Sequence, residues 1–131
     1  MSFDWTEYFI LAQEIMRLPG LSVSQETCTR CALSRAYYAA YHKAYEVAQV
    51  RDGYVRPPPG QGNVHESLIR HFQRHADPAR QDVGVDLDSL KIMRGKVDYE
   101  DVIRPPYALN ASTTAVYLQL ADHLLTKIAA L

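Results

Sequence analysis

A long helix is written between Gln25 and about Arg51, and apolar side chains fall on nearly all of its faces: Cys28, Cys31, Ala32, Ala36, Tyr38, Ala39, Ala40, Tyr41, Ala44 and Val47. A surface helix keeps one apolar stripe; a helix that is apolar all round must be touched from several sides. The rest of the chain is therefore expected to wrap this segment. Ser22 and Ser24 precede it as candidate N-caps, with Gln25 three residues after Ser22 in capping-box position, and Asp52-Gly53 ends it.

The remaining segments supply the wrapping. From about Asp4 to Leu18, Trp5, Tyr8, Phe9, Ala12, Ile15 and Met16 recur at steps of three and four, and Pro19-Gly20 stops the pattern. Residues 52–63 hold three glycines and the run Pro57-Pro58-Pro59, which excludes a helix and predicts an exposed loop. Asn63, with Glu66 three residues on, opens a third helix through about His75, with Val64, Leu68, Ile69 and Phe72 inward. Asp77-Pro78 reads as a break and Ala79 to Val85 as irregular or one loose turn. A fourth helix is expected from Asp86 or Asp88 to Tyr99, on the stripe Leu87, Leu90, Met93 and Val97, with Gly95 costing about 1 kcal/mol relative to alanine. After Pro105-Pro106 a last helix starts near Asn110 or Ser112, with Ala115, Val116, Leu118, Leu120, Ala121, Leu124, Leu125 and Ile128 as its apolar face. No strand pattern stands out, and short connections favour an all-α, up-and-down bundle of four or five helices in a single domain, residues 1–131.

Charge narrows the function classes. Fourteen Lys and Arg against fifteen Asp and Glu leave a formal charge of -1, so any nucleic acid must be held by a local patch. No apolar run reaches the roughly 20 residues of a membrane span, and Met1-Ser2-Phe3-Asp4-Trp5 lacks the basic start of a signal peptide, which together predict a cytoplasmic protein with no membrane partner. Cys28 and Cys31 suit two packed thiols better than a disulfide, and with one distant histidine they fall short of a four-ligand zinc set, so neither metal nor cofactor is expected. Nine of the aromatic residues are tyrosines, against three phenylalanines and one tryptophan, a bias that favours interfaces and polar sites over a dry core.

The long helix also carries the chemistry-bearing residues. Seven residues turn a helix through almost two full turns, so Arg35 and His42 share a face about 10.5 Å apart along the axis, with Cys28, Cys31, Tyr38 and Tyr45 on the same stripe. Guanidinium can clamp a phosphate bidentately and imidazole can move a proton near neutral pH, a pairing suited to phosphodiester chemistry. The same pair also fits a helix interface or a surface, and tyrosines at helical spacing also fit ordinary core packing. Arg70, His71, Arg74, His75 and Arg80 form a basic stretch that suits either an RNA backbone or a solvated face. Arg56 and Arg104 sit beside prolines, at a groove mouth or on plain loops.

The block Ser34-Arg35-Ala36-Tyr37-Tyr38-Ala39-Ala40-Tyr41-His42, the later His65-Glu66-Ser67-Leu68 and the closing Met93-Arg94-Gly95-Lys96-Val97-Asp98-Tyr99 resemble the HEPN domains. The likeness is to the branch reading S-R-x-Y-Y-A-x-F/Y and R-x-x-x-D-Y, and it runs from about Ser24 onward. It implies a helical bundle that forms a homodimer. In many members it also implies a metal-independent endoribonuclease, or a toxin of a toxin-antitoxin or defence system paired with a nucleotidyltransferase-type antitoxin. The family's site is an arginine, four to six residues, then a histidine. Arg35 and His42 match it as catalytic residues, with Tyr38, Arg94, Asp98 and Tyr99 as substrate-binding residues for RNA or a nucleotide; Arg70 and His75 match the spacing too. The chain departs from the family after Arg94, where Asp98-Tyr99 stands in place of a histidine. That leaves two readings open: activity carried by Arg35 and His42, or a non-catalytic module of the same fold that binds a nucleotide or a partner protein. Ala36, Ala39, Ala40 and Ala44 are the small residues on which a second copy is expected to approach the long helix.

Overall fold

The computed structural model describes residues 2–131. Five helices make an all-α bundle: α1 (Thr6–Arg17), α2 (Gln25–Arg51), α3 (Val64–Gln73), α4 (Pro78–Tyr99) and α5 (Ala111–Ala129), with no strand among the described residues. Within the described residues no helix is long and apolar enough to cross a membrane.

As its all-round apolar pattern requires, α2 is the central element, packed by α1, α4 and α5, while α3 lies mainly on α4. Ala36, Ala39, Ala40 and Ala44 are completely buried within the single chain. The expectation that these alanines receive a second copy is therefore corrected, because the chain's own helices already occupy the close approach that small residues permit. Phe9 and Ala12 of α1, Leu68, Ile69 and Phe72 of α3, Val83, Leu87 and Leu90 of α4, and Ala121, Leu124 and Ile128 of α5 close the core around α2. A smaller cluster of Leu33, Met93 and Val97, backed by Ile103, Tyr107 and Leu109, pins the last turns of α4 to α2. Burying side chains of this size stabilises each by about 1.5–3 kcal/mol, which is what holds the polar groups nearby in register.

The helix starts are cut by side-chain caps. Ser24 Oγ accepts from Thr27 N at 3.1 Å, so Ser24 and not Ser22 is the cap of α2. Asn63 Oδ1 accepts from His65 N and Glu66 N, and the Asn110 side chain from Thr113 N. The irregular stretch expected at Ala79–Val85 is helical. Asp77 accepts from Ala79 N at 3.1 Å and Pro78 occupies the first turn, where its missing N–H costs nothing, so Asp77-Pro78 starts α4 instead of breaking the chain. Asp52, the C-cap of α2, accepts from Arg80 Nε and Nη2 and pairs with His71 Nε2 at 2.9 Å, which ties the end of α2 to α3 and to the start of α4. Two smaller expectations also change. Cys28 is buried but Cys31 is exposed, and Ala115 and Val116 face solvent while Thr114 is the buried residue of that turn of α5.

Candidate functional site

Tyr38 is the hub to which the sequence-predicted residues converge. The Arg35 guanidinium lies 5.3 Å over its ring and that of Arg94, brought in by α4, lies 5.8 Å over it, while His42 stacks on it at 6.3 Å. Arg35 is one turn before Tyr38 and His42 one turn after, so the gap of almost two turns is bridged by the ring between them. Arg35 also lies 5.2 Å over Tyr8 of α1, and Arg94 lies over Tyr37 and the exposed Tyr99 at 5.4 and 5.9 Å.

Charge is only partly balanced here. Arg94 is 11% exposed at its side chain and its nearest carboxylate, Asp98, stands at the edge of ion-pair range, 4.0 Å away. Its Nε is buried without a hydrogen-bond partner. Ring faces contribute about 0.5–2 kcal/mol each to a cation, less than a desolvated guanidinium loses on leaving water. Asp98 is held by Ser34 Oγ, which donates to Oδ2 at 3.1 Å and accepts from Arg35 Nη2 at 3.4 Å. A chain of contacts thus runs from Arg35 through Ser34 and Asp98 to Arg94. Asp98 meets Arg94 at 4.0 Å and reaches Arg35 only through Ser34. Beside it Cys31, Ser34, Arg35, Val97 and Asp98 line an open groove of about 440 Å³.

Two imidazoles complete the cluster. His42 lies flat against Trp5, ring centroids 3.5 Å apart and planes 11° apart, with Tyr41 edge-on at 5.1 Å. Burial, helped by the charge of Arg56, lowers its pKa below the ordinary 6.5. His65, from the first turn of α3, meets the Tyr37 hydroxyl with Nδ1 at 2.7 Å and packs on Tyr41 at 4.4 Å. Burial pushes it down to about 4, with Arg94, Lys91 and Arg56 acting in the same direction. Both rings are neutral at pH 7; cations crowd His65, while His42 feels Arg56 and, in the opposite sense, Glu46.

His65, Ser34 and Trp5 were not singled out as site residues. The first two lie inside the blocks that carry the family resemblance, which is the one signal that points to them; Trp5 reads only as part of the apolar stripe of α1. Arg70 and His75 stay apart from this cluster's contacts. His75 Nδ1 accepts from Asp77 N at 3.0 Å, and Arg70 and Arg74 line a shallow exposed groove with Ser67, His71 and His75. Arg56 lies 5.8 Å over Tyr45, and Arg104 is exposed on the loop before α5. Among the described residues no group of three or more His, Cys, Asp or Glu is arranged to hold a metal ion.

What the arrangement can do chemically is bind an oxyanion between two arginines beside neutral imidazoles. Comparison of the chain with protein-family models, with curated proteins and with solved structures finds no match, so any functional reading rests on these residues.

Proposed function

We propose that the chain is a HEPN-like RNA-binding protein that cleaves RNA without a metal ion, as a homodimer in a toxin-antitoxin or defence setting with a nucleotidyltransferase-type antitoxin. The observation that carries this reading is the convergence of Arg35, Arg94 and His42 on the single ring of Tyr38. Arg35 and Arg94 bind the scissile phosphate and offset the charge that builds on it. His42, neutral at working pH, takes the proton of the ribose 2′-hydroxyl. The freed 2′-oxygen attacks phosphorus, the bond to the 5′-oxygen breaks, that oxygen takes a proton from water, and a 2′,3′-cyclic phosphate remains. The exposed Tyr99 beside Arg94 offers a face for a base.

The test is incubation of the purified protein with total RNA in EDTA, followed by sequencing of the ends. The expected result is cyclic-phosphate ends, with His42→Ala slowing cleavage by about a hundredfold or more; a fully active His42→Ala protein overturns the assignment. A second reading, a non-catalytic module that binds a nucleotide, is favoured by one observation: Trp5 covers a face of the His42 ring. It predicts binding that persists without cleavage and weakens on Arg35→Ala or Arg94→Ala.

A further inference from the structure

The proposed clamp leaves His65 without a task, yet its surroundings constrain it from every side. Tyr37 is completely buried, and burial holds its phenol protonated far above the usual range. A buried O–H without an acceptor is strongly disfavoured, and the acceptor it meets is His65 Nδ1, 2.7 Å away. Tyr37 therefore donates, Nδ1 carries no hydrogen, and the imidazole hydrogen sits on Nε2.

The groups around this ring are mostly donors and cations: Arg94 and Lys91 from α4, Arg56 from the loop, and His42 with Tyr38 and Tyr41 from α2. Of the carboxylates, Glu66 on α3 is exposed and engaged by Lys91 at 3.4 Å, Asp88 acts on Tyr37 from α4, and Asp98 is held by Ser34. The Nε of Arg94 is enclosed by the chain without a hydrogen-bond partner and its one carboxylate stands 4.0 Å away, so the positive charge of this guanidinium is left poorly compensated. A ligand rich in acceptors and negative charge fits such a place; one that brings donors or positive charge does not.

The geometry points to His65 as a direct contact of the phosphate that Arg94 binds: its Nε2–H donates to a phosphate oxygen, and Tyr37, which fixes the tautomer from behind, is a positioning residue. This rests on the phosphate-binding part of the reading above and is independent of cleavage.

Two substitutions separate contact from scaffold. His65→Gln can still place an amide donor at the Nε2 position, whereas His65→Asn can offer its amide oxygen to Tyr37 but reaches no donor to the Nε2 position. Wild type and both variants are titrated by calorimetry with inorganic phosphate and with a 2′-O-methyl RNA tetranucleotide, which cannot cyclise. The His65 imidazole signals of the wild type are followed by NMR against pH. Both probes are expected to bind and to raise the pH at which His65 titrates from about 4. His65→Asn is expected to lose about tenfold or more in affinity, and His65→Gln to stay within about threefold of wild type.

Equal binding by His65→Asn, an unmoved His65 titration on binding, or no binding of either probe overturns the assignment. Should a variant fail to fold, the wild-type titration decides alone. Phosphate that binds at His65 without the oligonucleotide keeps this contact and overturns the RNA reading. Oligonucleotide binding indifferent to His65 does the reverse.

Discussion

Tyr38 acts in this site through its ring: two guanidinium groups lie over it and His42 stacks on it, so one side chain sets the mutual positions of three others. Arginine suits such a place and lysine does not, because the planar guanidinium spreads over an aromatic face while keeping donors free at its edge. The two histidines are shaped by the same environment. His65 titrates near 6.5 in the unfolded chain and at about 4 in the folded one, so between those values the unfolded chain binds more protons. The contribution of His65 to stability then falls as pH drops through that window and is fully lost below it, a change on the order of 2 kcal/mol after allowance for partial exposure. His42 shifts in the same direction and adds to the slope. The carboxyls of Asp52 and Asp77, held below the ordinary 3.8, begin to lose their contribution toward the acid end of this window and lose most of it below 3.8, so they add equally to the losses of wild type and of a His65 variant. Urea unfolding at pH 7 and 4.5 is expected to show a smaller loss for His65→Gln than for wild type; identical losses would remove His65 as the source.

Among the helices, α4 has the most demanding local geometry, and its two glycines give it a sharp test. A Cβ at Gly84 would stand 2.8 Å from both Gln73 Cγ and the Gln73 backbone nitrogen, where α3 crosses, whereas at Gly95 it would meet nothing within 4 Å. Gly84→Ala is expected to destabilise by about 1–3 kcal/mol, since backbone cannot yield as a flexible side chain would. Gly95→Ala is expected to stabilise by about 0.5–1 kcal/mol through helix propensity. Paired chemical-denaturation curves check both; equal effects of the same sign would mean that α3 does not approach α4 as described. The same close approach explains why the sequence of Ala79–Val85 does not read as a helix. Gly84 weakens the helical signal in sequence and is kept for packing, and Pro78, a stop signal by itself, is a start signal once Asp77 caps the turn.

Taken as a whole, the molecule uses its alanines for itself. Ala40 is completely buried among the chain's own helices, so Ala40→Leu is expected to cost about 1–3 kcal/mol by overpacking, with the oligomeric state unchanged below the unfolding transition. Light scattering beside a thermal melt checks this; a folded variant with a changed oligomeric state would return the dimer contact to this stripe. The homodimer of the proposed function must use another surface, and the site itself is assembled within one chain from α1, α2, α3 and α4.

Most of the bundle was legible in the chain. Periodicity placed α1, α2, α3 and α5, Asn63 and Asn110 capped as their types suggest, and the all-round apolar pattern of α2 announced a central helix, because those signals act over a few residues along one helix. The Arg35, Tyr38 and His42 stripe was legible for the same reason. What joined it was not: Trp5 against His42, Arg94 over Tyr38, and His65 on Tyr37 are contacts between residues 28 to 56 positions apart, made by packing of separate helices. Helical spacing says which side chains share a face, but only the packed bundle says what that face meets, how far water is excluded from it, and hence which imidazoles stay neutral and which guanidinium nitrogen is left without a hydrogen-bond partner.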